Sequence, residues 1–171
     1  MSIPGITHTT GKIEWYTPAW LWRAAAEVMG GIDLDPCSNS RDEPAVPAAT
    51  IYTKEDDGLV NPWHGRIYLN PPWGRGIERW VNKCLAEYHS GRVTAAVLAV
   101  PASTETLWFR PLWAHTICFA QGRCYFIDGE TGVVPDKGGP TPVAYAYLGV
   151  SPERFARTFS QFGAVVQGAE R

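Results

Sequence analysis

The sequence predicts an α/β protein with a mostly parallel central sheet, flanked by helices and joined through right-handed crossovers. Three observations lead there. Short apolar runs alternate with stretches of helical periodicity. Val93 to Val100 is an unbroken series of small apolar residues, as in a strand covered on both faces. Polar, turn-forming clusters follow directly on two strand-like segments, at Asp33–Asn39 and Asn70–Trp73. The length of 171 residues fits one domain, read as a lead-in over 1–14 and a single domain over 15–171.

Taken in order, Thr17-Pro18 reads as a helix start, with Thr17 at the N-cap and Pro18 at the first helical position. Leu21, Ala24, Ala25 and Val28 hold helical spacing until Gly30-Gly31 ends the run. Ile32 to Asp35 is a short strand stopped by Pro36, and Ile51 to Thr53 is a second. Arg66 to Leu69 is a third, ended by Asn70-Pro71-Pro72. Ile77, Trp80, Val81, Cys84, Leu85 and Tyr88 form one apolar stripe, with Glu78, Arg79, Asn82, Lys83 and Glu87 opposite: an amphipathic helix. After the strand at 93–100, Thr104 to Ala114 reads as an aromatic helix, and Ile117–Phe119 and Cys124–Ile127 as strands. Gly129 to Gly132 is a turn in a glycine-rich loop. Val143 to Val150 is a strand, and Ser151-Pro152 opens a last helix carrying Phe155, Phe159 and Phe162.

Composition narrows the function. With 45% hydrophobic and 19% charged residues, wholesale disorder is excluded. Eight tryptophans exceed what a core of this size needs, so some belong to a binding surface. A net charge of −2 excludes a protein held to nucleic acid by bulk charge, while leaving room for a local basic face. The four cysteines show no CxxC spacing and the histidines are scattered, so the expectation is buried thiols in a reducing compartment and no metal. The N-terminal residues lack a charged start before an apolar stretch, and no apolar run is long enough to span a bilayer, so neither a signal peptide nor a membrane is expected.

In open α/β sheets, ligands bind beyond the carboxyl ends of the strands. Asp33-Leu34-Asp35-Pro36-Cys37-Ser38-Asn39 and Asn70-Pro71-Pro72-Trp73 both fall there, with Asp56-Asp57-Gly58-Leu59 between them. An Asn-Pro-Pro-Trp turn by itself favours a rigid corner; the aspartate-bearing strand end upstream and the Asp-Gly turn between them tip the reading to function. Its chemistry suits an aromatic exocyclic amine, whose lone pair is delocalised into the ring. The Asn70 side-chain oxygen and the Pro71 carbonyl can accept the two amine hydrogens, pointing the lone pair at an electrophile. Proline offers a carbonyl without an amide proton, and the Trp73 ring can stack on a planar base. Positioning and electrostatics then do the catalysis. His64 reads as structural, and Ser103 and His115 lack a carboxylate partner for nucleophilic catalysis.

These segments together, Trp15-Tyr16-Thr17-Pro18, Asp33-Leu34-Asp35-Pro36, Asp57-Gly58-Leu59, Asn70-Pro71-Pro72-Trp73 and Gly122-Arg123, resemble the phage-type DNA adenine-N6-methyltransferase (Dam) family over roughly residues 14 to 150. The resemblance implies a class I, Rossmann-like methyltransferase fold, S-adenosylmethionine as cofactor, and adenine in double-stranded DNA as the base flipped out and methylated. It assigns Asn70, Pro71, Pro72 and Trp73 to catalysis. Trp15, Tyr16, Thr17, Pro18, Asp33, Asp35, Pro36 and Asp57 fall to cofactor binding. Here DPCSN follows the first strand where a GxG turn is the broader methyltransferase pattern. The helix start at Thr17-Pro18 is expected to face the methionine carboxylate. Asp35 is expected to hold the ammonium or ribose hydroxyls, and Asp57 the cofactor's adenine amine. As bland alternatives, Thr17-Pro18 is only a cap, and Asp35 and Asp57-Gly58 only turns.

Arg75, Arg79, Lys83 and Arg123 are the candidates for DNA contact, the first three forming either a phosphate-facing or a solvated surface. A cytoplasmic protein of a bacterial or phage-infected cell is expected, with a homodimer open to it. Other amino acceptors remain open on chemistry alone: an RNA base, cytosine N4 or a glutamine amide. So does a catalytically silent nucleic-acid-binding module.

Overall fold

A computed structural model describes residues 15–122, 124, 126–129, 131–134 and 141–168. The expected lead-in over 1–14 lies outside the described residues. Strand β1 (Trp15–Tyr16) precedes helix α1 (Ala19–Met29), which Gly30 closes in the left-handed conformation at φ 79°. Strands β2 (Leu34–Asp35), β3 (Thr50–Ile51) and β4 (Gly65–Leu69) follow, then helix α2 (Ile77–His89) and the long strand β5 (Val93–Pro101). After a 3-10 helix at Arg110–Ala114 come β6 (Thr116–Ala120), β7 (Ile127–Asp128), β8 (Val143–Leu148), helix α3 (Pro152–Phe159) and β9 (Gly163–Val166).

Seven strands form one sheet in the order β3-β2-β4-β5-β8-β6-β9, while β1 and β7 pair separately as an antiparallel ribbon. The alternation of β5 builds both cores. Ala95, Val97 and Ala99 pack with α1, α3, Tyr68 and Tyr145 on one face. Ala96, Leu98 and Val100 pack with α2, Phe109 and Leu112 on the other.

The sheet corrects the mostly parallel expectation. β3-β2, β2-β4 and β4-β5 are parallel, but β5-β8, β8-β6 and β6-β9 are antiparallel. Reversing β8 between β5 and β6 accounts for two of those pairings, and the edge strand β9 for the third. The physical reason is the connection: a parallel return needs a crossover over a sheet face, usually a helix. The described chain between β6 and β8 has none and re-enters from the same end.

Three local expectations are also corrected. The first helix begins at Ala19, so Pro18 occupies the capping position and the Thr17 hydroxyl makes no cap. The stretch 104–114 forms turns and a 3-10 helix instead of an α-helix; Pro111, near the start of that short helix, has no amide hydrogen for a helical ladder. The strand expected at 124–127 is displaced to Ile127–Asp128 and pairs with β1, outside the main sheet. No described helix is long and apolar enough to cross a membrane.

Candidate active site

Chain order puts the site between β2 and β4. From β2 the chain moves outward to β3, then jumps back across β2 to β4 and on to β5, so the direction of travel reverses between β2 and β4. At such a switch point the connections leave in opposite directions and open a crevice at the strands' carboxyl ends. A cleft of ≈ 660 Å³ lies there, within the ~300–1,000 Å³ common for small-molecule sites. It is walled by Trp15 and Tyr16 of β1, Pro36–Asn39 after β2, Thr53–Glu55, Asp57 and Gly58 after β3, Asn70–Pro72 after β4, and Trp80 of α2.

Asn70 is held from behind. Its Nδ2 donates to the Trp15 carbonyl oxygen at 2.6 Å and to Thr17 Oγ1 at 3.3 Å. Thr17, itself buried, donates to the hydroxyl of buried Tyr68 at 3.3 Å. Asn70 Oδ1 is buried with no hydrogen-bond partner among the described residues. An orphaned amide oxygen costs about 1–3 kcal/mol, an expense folds keep where a ligand later satisfies the atom. Pro71 is buried beside it and Pro72 is exposed.

Across the crevice, Asp35 is buried, and Oδ1 accepts from the Cys37 amide at 3.0 Å. Burial pushes its carboxyl up to about 7, and the Cys37 bond offsets that only in part. Burial also raises the Cys37 thiol, with the Asp35 charge adding to the effect. Asp57 stands at φ 52°, accepts from the Leu59 amide at 3.1 Å, and lines the cleft. The next residue must be glycine for space: a Cβ on Gly58 would meet the Pro36 carbonyl oxygen at 2.2 Å. Trp63 Nε1 donates to the Gly58 carbonyl at 2.7 Å, and Trp63 stacks on Trp80 at 6.1 Å between centroids. The acidic loop is thereby pinned against the end of β2.

Of the expected residues, Trp15, Tyr16, Pro36, Asp57, Asn70, Pro71 and Pro72 meet in the cleft. Asp35, Thr17 and Pro18 are buried and do not line it. Asp33 lies at the other end of the sheet, where its carboxylate accepts from the Arg66 amide and Nε, both at 2.8 Å, and from Nη2 at 2.7 Å. Trp73 is outside the cleft lining: its half-buried ring meets Phe126 edge-on at 5.4 Å, and Nε1 is buried without a partner among the described residues. Arg75 and Arg79 are exposed on the adjoining turn and helix, with no ion pair among the described residues. Lys83 is committed to Glu87 at 3.3 Å and to the Trp63 ring at 5.4 Å. Arg123 lies outside the described residues.

Trp80 and the rim residues Lys54 and Glu55 were missed. The helical stripe marks Trp80 as apolar surface, and its excess over an aliphatic residue was the available signal. No group of three or more metal-ligating side chains occurs among the described residues.

No curated protein matches the chain. The model of the DNA N-6-adenine-methyltransferase (Dam) family matches residues 6–147, a span that contains every wall of the cleft from Trp15 to Trp80, and the chain belongs to that family.

Proposed function

We propose that the chain transfers a methyl group from S-adenosylmethionine to the exocyclic N6 of adenine in double-stranded DNA, with the base flipped into the cleft. The single observation that carries this is Asn70 Oδ1, buried and unpartnered beside Pro71 at the carboxyl end of β4. An oxygen so placed suits an N–H donor, and the amine of a flipped adenine has two hydrogens to give. Asn70 Oδ1 accepts one and the Pro71 carbonyl the other, so the nitrogen lone pair is turned out of conjugation and toward the cofactor side of the cleft. The methylated amine is a strong acid and loses its proton to water, so no side-chain base is needed.

The residues present fit the cofactor. Tyr16, Pro36 and Asp57 would hold its adenosine. Asp35, buried behind the Pro36–Cys37 wall with no described cation against it, would favour a positively charged part of the cofactor through its charge and without touching it. S-adenosylmethionine, when bound, supplies an electrophilic methyl on a sulfonium. The switch-point cleft and the five strands of common sense support a class I, Rossmann-like fold read over 15–171. Arg75 and Arg79, exposed on the turn and helix that follow Pro72, are proposed to neutralise DNA phosphates. These assignments keep Asp33 and Lys83 out of the ligand sets, because their charges are already spent on Arg66 and Glu87.

A tritiated-methyl assay with DNA, RNA and protein acceptors, followed by nucleoside analysis, tests the reaction. N6-methyladenine in DNA is the expected product; label in another acceptor overturns it. Asn70→Ala lowers turnover by about 10²–10³, the usual loss for one positioned polar group acting on the reacting atoms. Calorimetric affinity for the cofactor changes little. Near-normal turnover sinks the mechanism.

A further inference from the structure

The proposed chemistry uses one end of the Asn70 amide, and the other end is equally committed. Nδ2 faces the Trp15 carbonyl at 2.6 Å, the shorter of its two bonds. A backbone carbonyl can only accept, so whatever group faces it must donate. Trp15 is itself anchored, because it pairs with Asp128 in the β1–β7 ribbon while forming a wall of the cleft.

We propose that the Trp15 carbonyl is the positioning group for the catalytic amide: it decides which end of Asn70 meets the acceptor, and makes an amide, not a carboxylate, the side chain this site requires. The inference rests on the methyl-transfer reading and deepens it. Wall and amide become one unit, since seating the Trp15–Tyr16 strap and aiming Oδ1 at the acceptor are the same event.

Asn70→Asp separates this from simple acceptor strength. A carboxylate is the stronger acceptor for an amine hydrogen. On that ground alone the variant would be most active when ionised, and would weaken as pH falls. Opposite the Trp15 carbonyl the order reverses. An ionised carboxylate sets oxygen against oxygen, and only the protonated form can donate to Trp15 while leaving a free oxygen for the acceptor. Burial and the facing carbonyl both raise the substituted group's pKa. The other ionisable groups around the cleft are Asp35 at the end of β2, Cys37 after it, Tyr68 on β4, Tyr16 on β1, and Lys54, Glu55 and Asp57 on the rim. They are the same in both proteins, so the quantity read is the variant-to-wild-type ratio.

Turnover on DNA and the thermal midpoint of the ligand-free protein are measured from pH 5 to pH 8 for both proteins. The expected ratio of turnover falls about tenfold or more as pH rises, one decade for each pH unit above the raised pKa. The variant's midpoint falls relative to wild type over the same range. A ratio that rises with pH, or a midpoint difference independent of pH, overturns the proposal. The thermal arm needs neither cofactor nor DNA, so it stands even if the methyl-transfer reading fails through Asn70→Ala. In the wild-type chain, the Asn70 carboxamide signal in 15N-labelled protein is the one missing from Asn70→Ala. Its hydrogens are expected to exchange about tenfold or more slowly than those of exposed Asn82, as for a hydrogen-bonded, half-buried amide. Exchange at the Asn82 rate also overturns the proposal, whatever the fate of the aspartate variant.

Discussion

Asp33 and Asp35 stand two positions apart around one short strand, and their carboxyls are driven in opposite directions. At the amino end of the sheet, bonds from Arg66 hold Asp33 down to about 2. At the carboxyl end, burial lifts Asp35 to about 7. The contrast extends to their neighbours. Near the amino end Glu87 is bonded by both Lys83 and Arg92. Toward the carboxyl end, among the described residues, Arg41 pairs with Asp56, but Asp35 meets no cation, Asn70 Oδ1 has no hydrogen-bond partner, and Arg75 and Arg79 make no ion pair. One end of the sheet neutralises itself to stabilise the fold, and the other holds its polarity in reserve where the proposed ligand would meet it.

The largest expected effect comes from breaking the reserved end. Asp35 is neutral more readily in the fold than in the unfolded chain. Its contribution is therefore full below pH about 4 and is lost as pH rises through about 7, by up to about 4 kcal/mol. Asp35→Asn flattens that decline in urea unfolding compared at pH 5 and pH 8. In wild type, S-adenosylmethionine binds more tightly at pH 8 than at pH 6, because a cationic ligand favours the ionised carboxyl; the substitution removes this dependence in calorimetry. A wild-type unfolding free energy with no such slope would sink the contrast.

Breaking the neutralised end does less and has the opposite pH sign. Asp33→Asn costs about 1–2 kcal/mol at pH 7, a figure discounted because about a third of each partner faces solvent. The loss is present above pH about 4 and vanishes as pH falls through about 2, where Asp33 itself is protonated. Cofactor affinity stays unchanged; a weakened affinity would return Asp33 to the ligand set.

The smallest effect sharpens the contrast along α2. Arg75→Ala with Arg79→Ala reduces the slope of log DNA affinity against log salt by about two contacts' worth, near 0.9 each. Lys83→Ala leaves the slope alone. Equal slopes for the two variants would assign all three residues to solvated surface.

Much of this division was legible in the sequence, though not which aspartate served which end. The stop of β4 at Asn70-Pro71-Pro72, the buried run of β5 and the stripe of α2 all follow from local pattern, and they place the cleft. What pattern does not carry is partner choice. Asp33 and Asp35 look alike until Arg66, 33 positions away, is brought against one of them. Lys83 shares a helix face with Arg79 in the sequence, but the Trp63 ring beneath it and Glu87 one turn on claim its charge. The direction of β8 depends on a connection with no helix among its described residues, and β1 exists only because β7 pairs with it; neither leaves periodicity to read. Thr17 shows the same limit from another side. A threonine before a proline satisfies the local rule for a cap, and the stronger claim came from Asn70 and Tyr68.

The ribbon of Trp15 with Asp128 also sets an order of assembly. Trp15 is among the first described residues to leave the ribosome, yet its strand partner is made only after β6. Until then the strap has no edge to pair with, and closing so long a loop draws its entropy cost before any contact rewards it. Helix α1 and the β4 turn can form from nearby chain, while the front wall waits for β7. A nascent or truncated chain ending before β7 therefore carries the Asn-Pro-Pro-Trp turn without the ribbon that seats its strap, so the proposed DNA-modifying activity stays unarmed until β7 has been made.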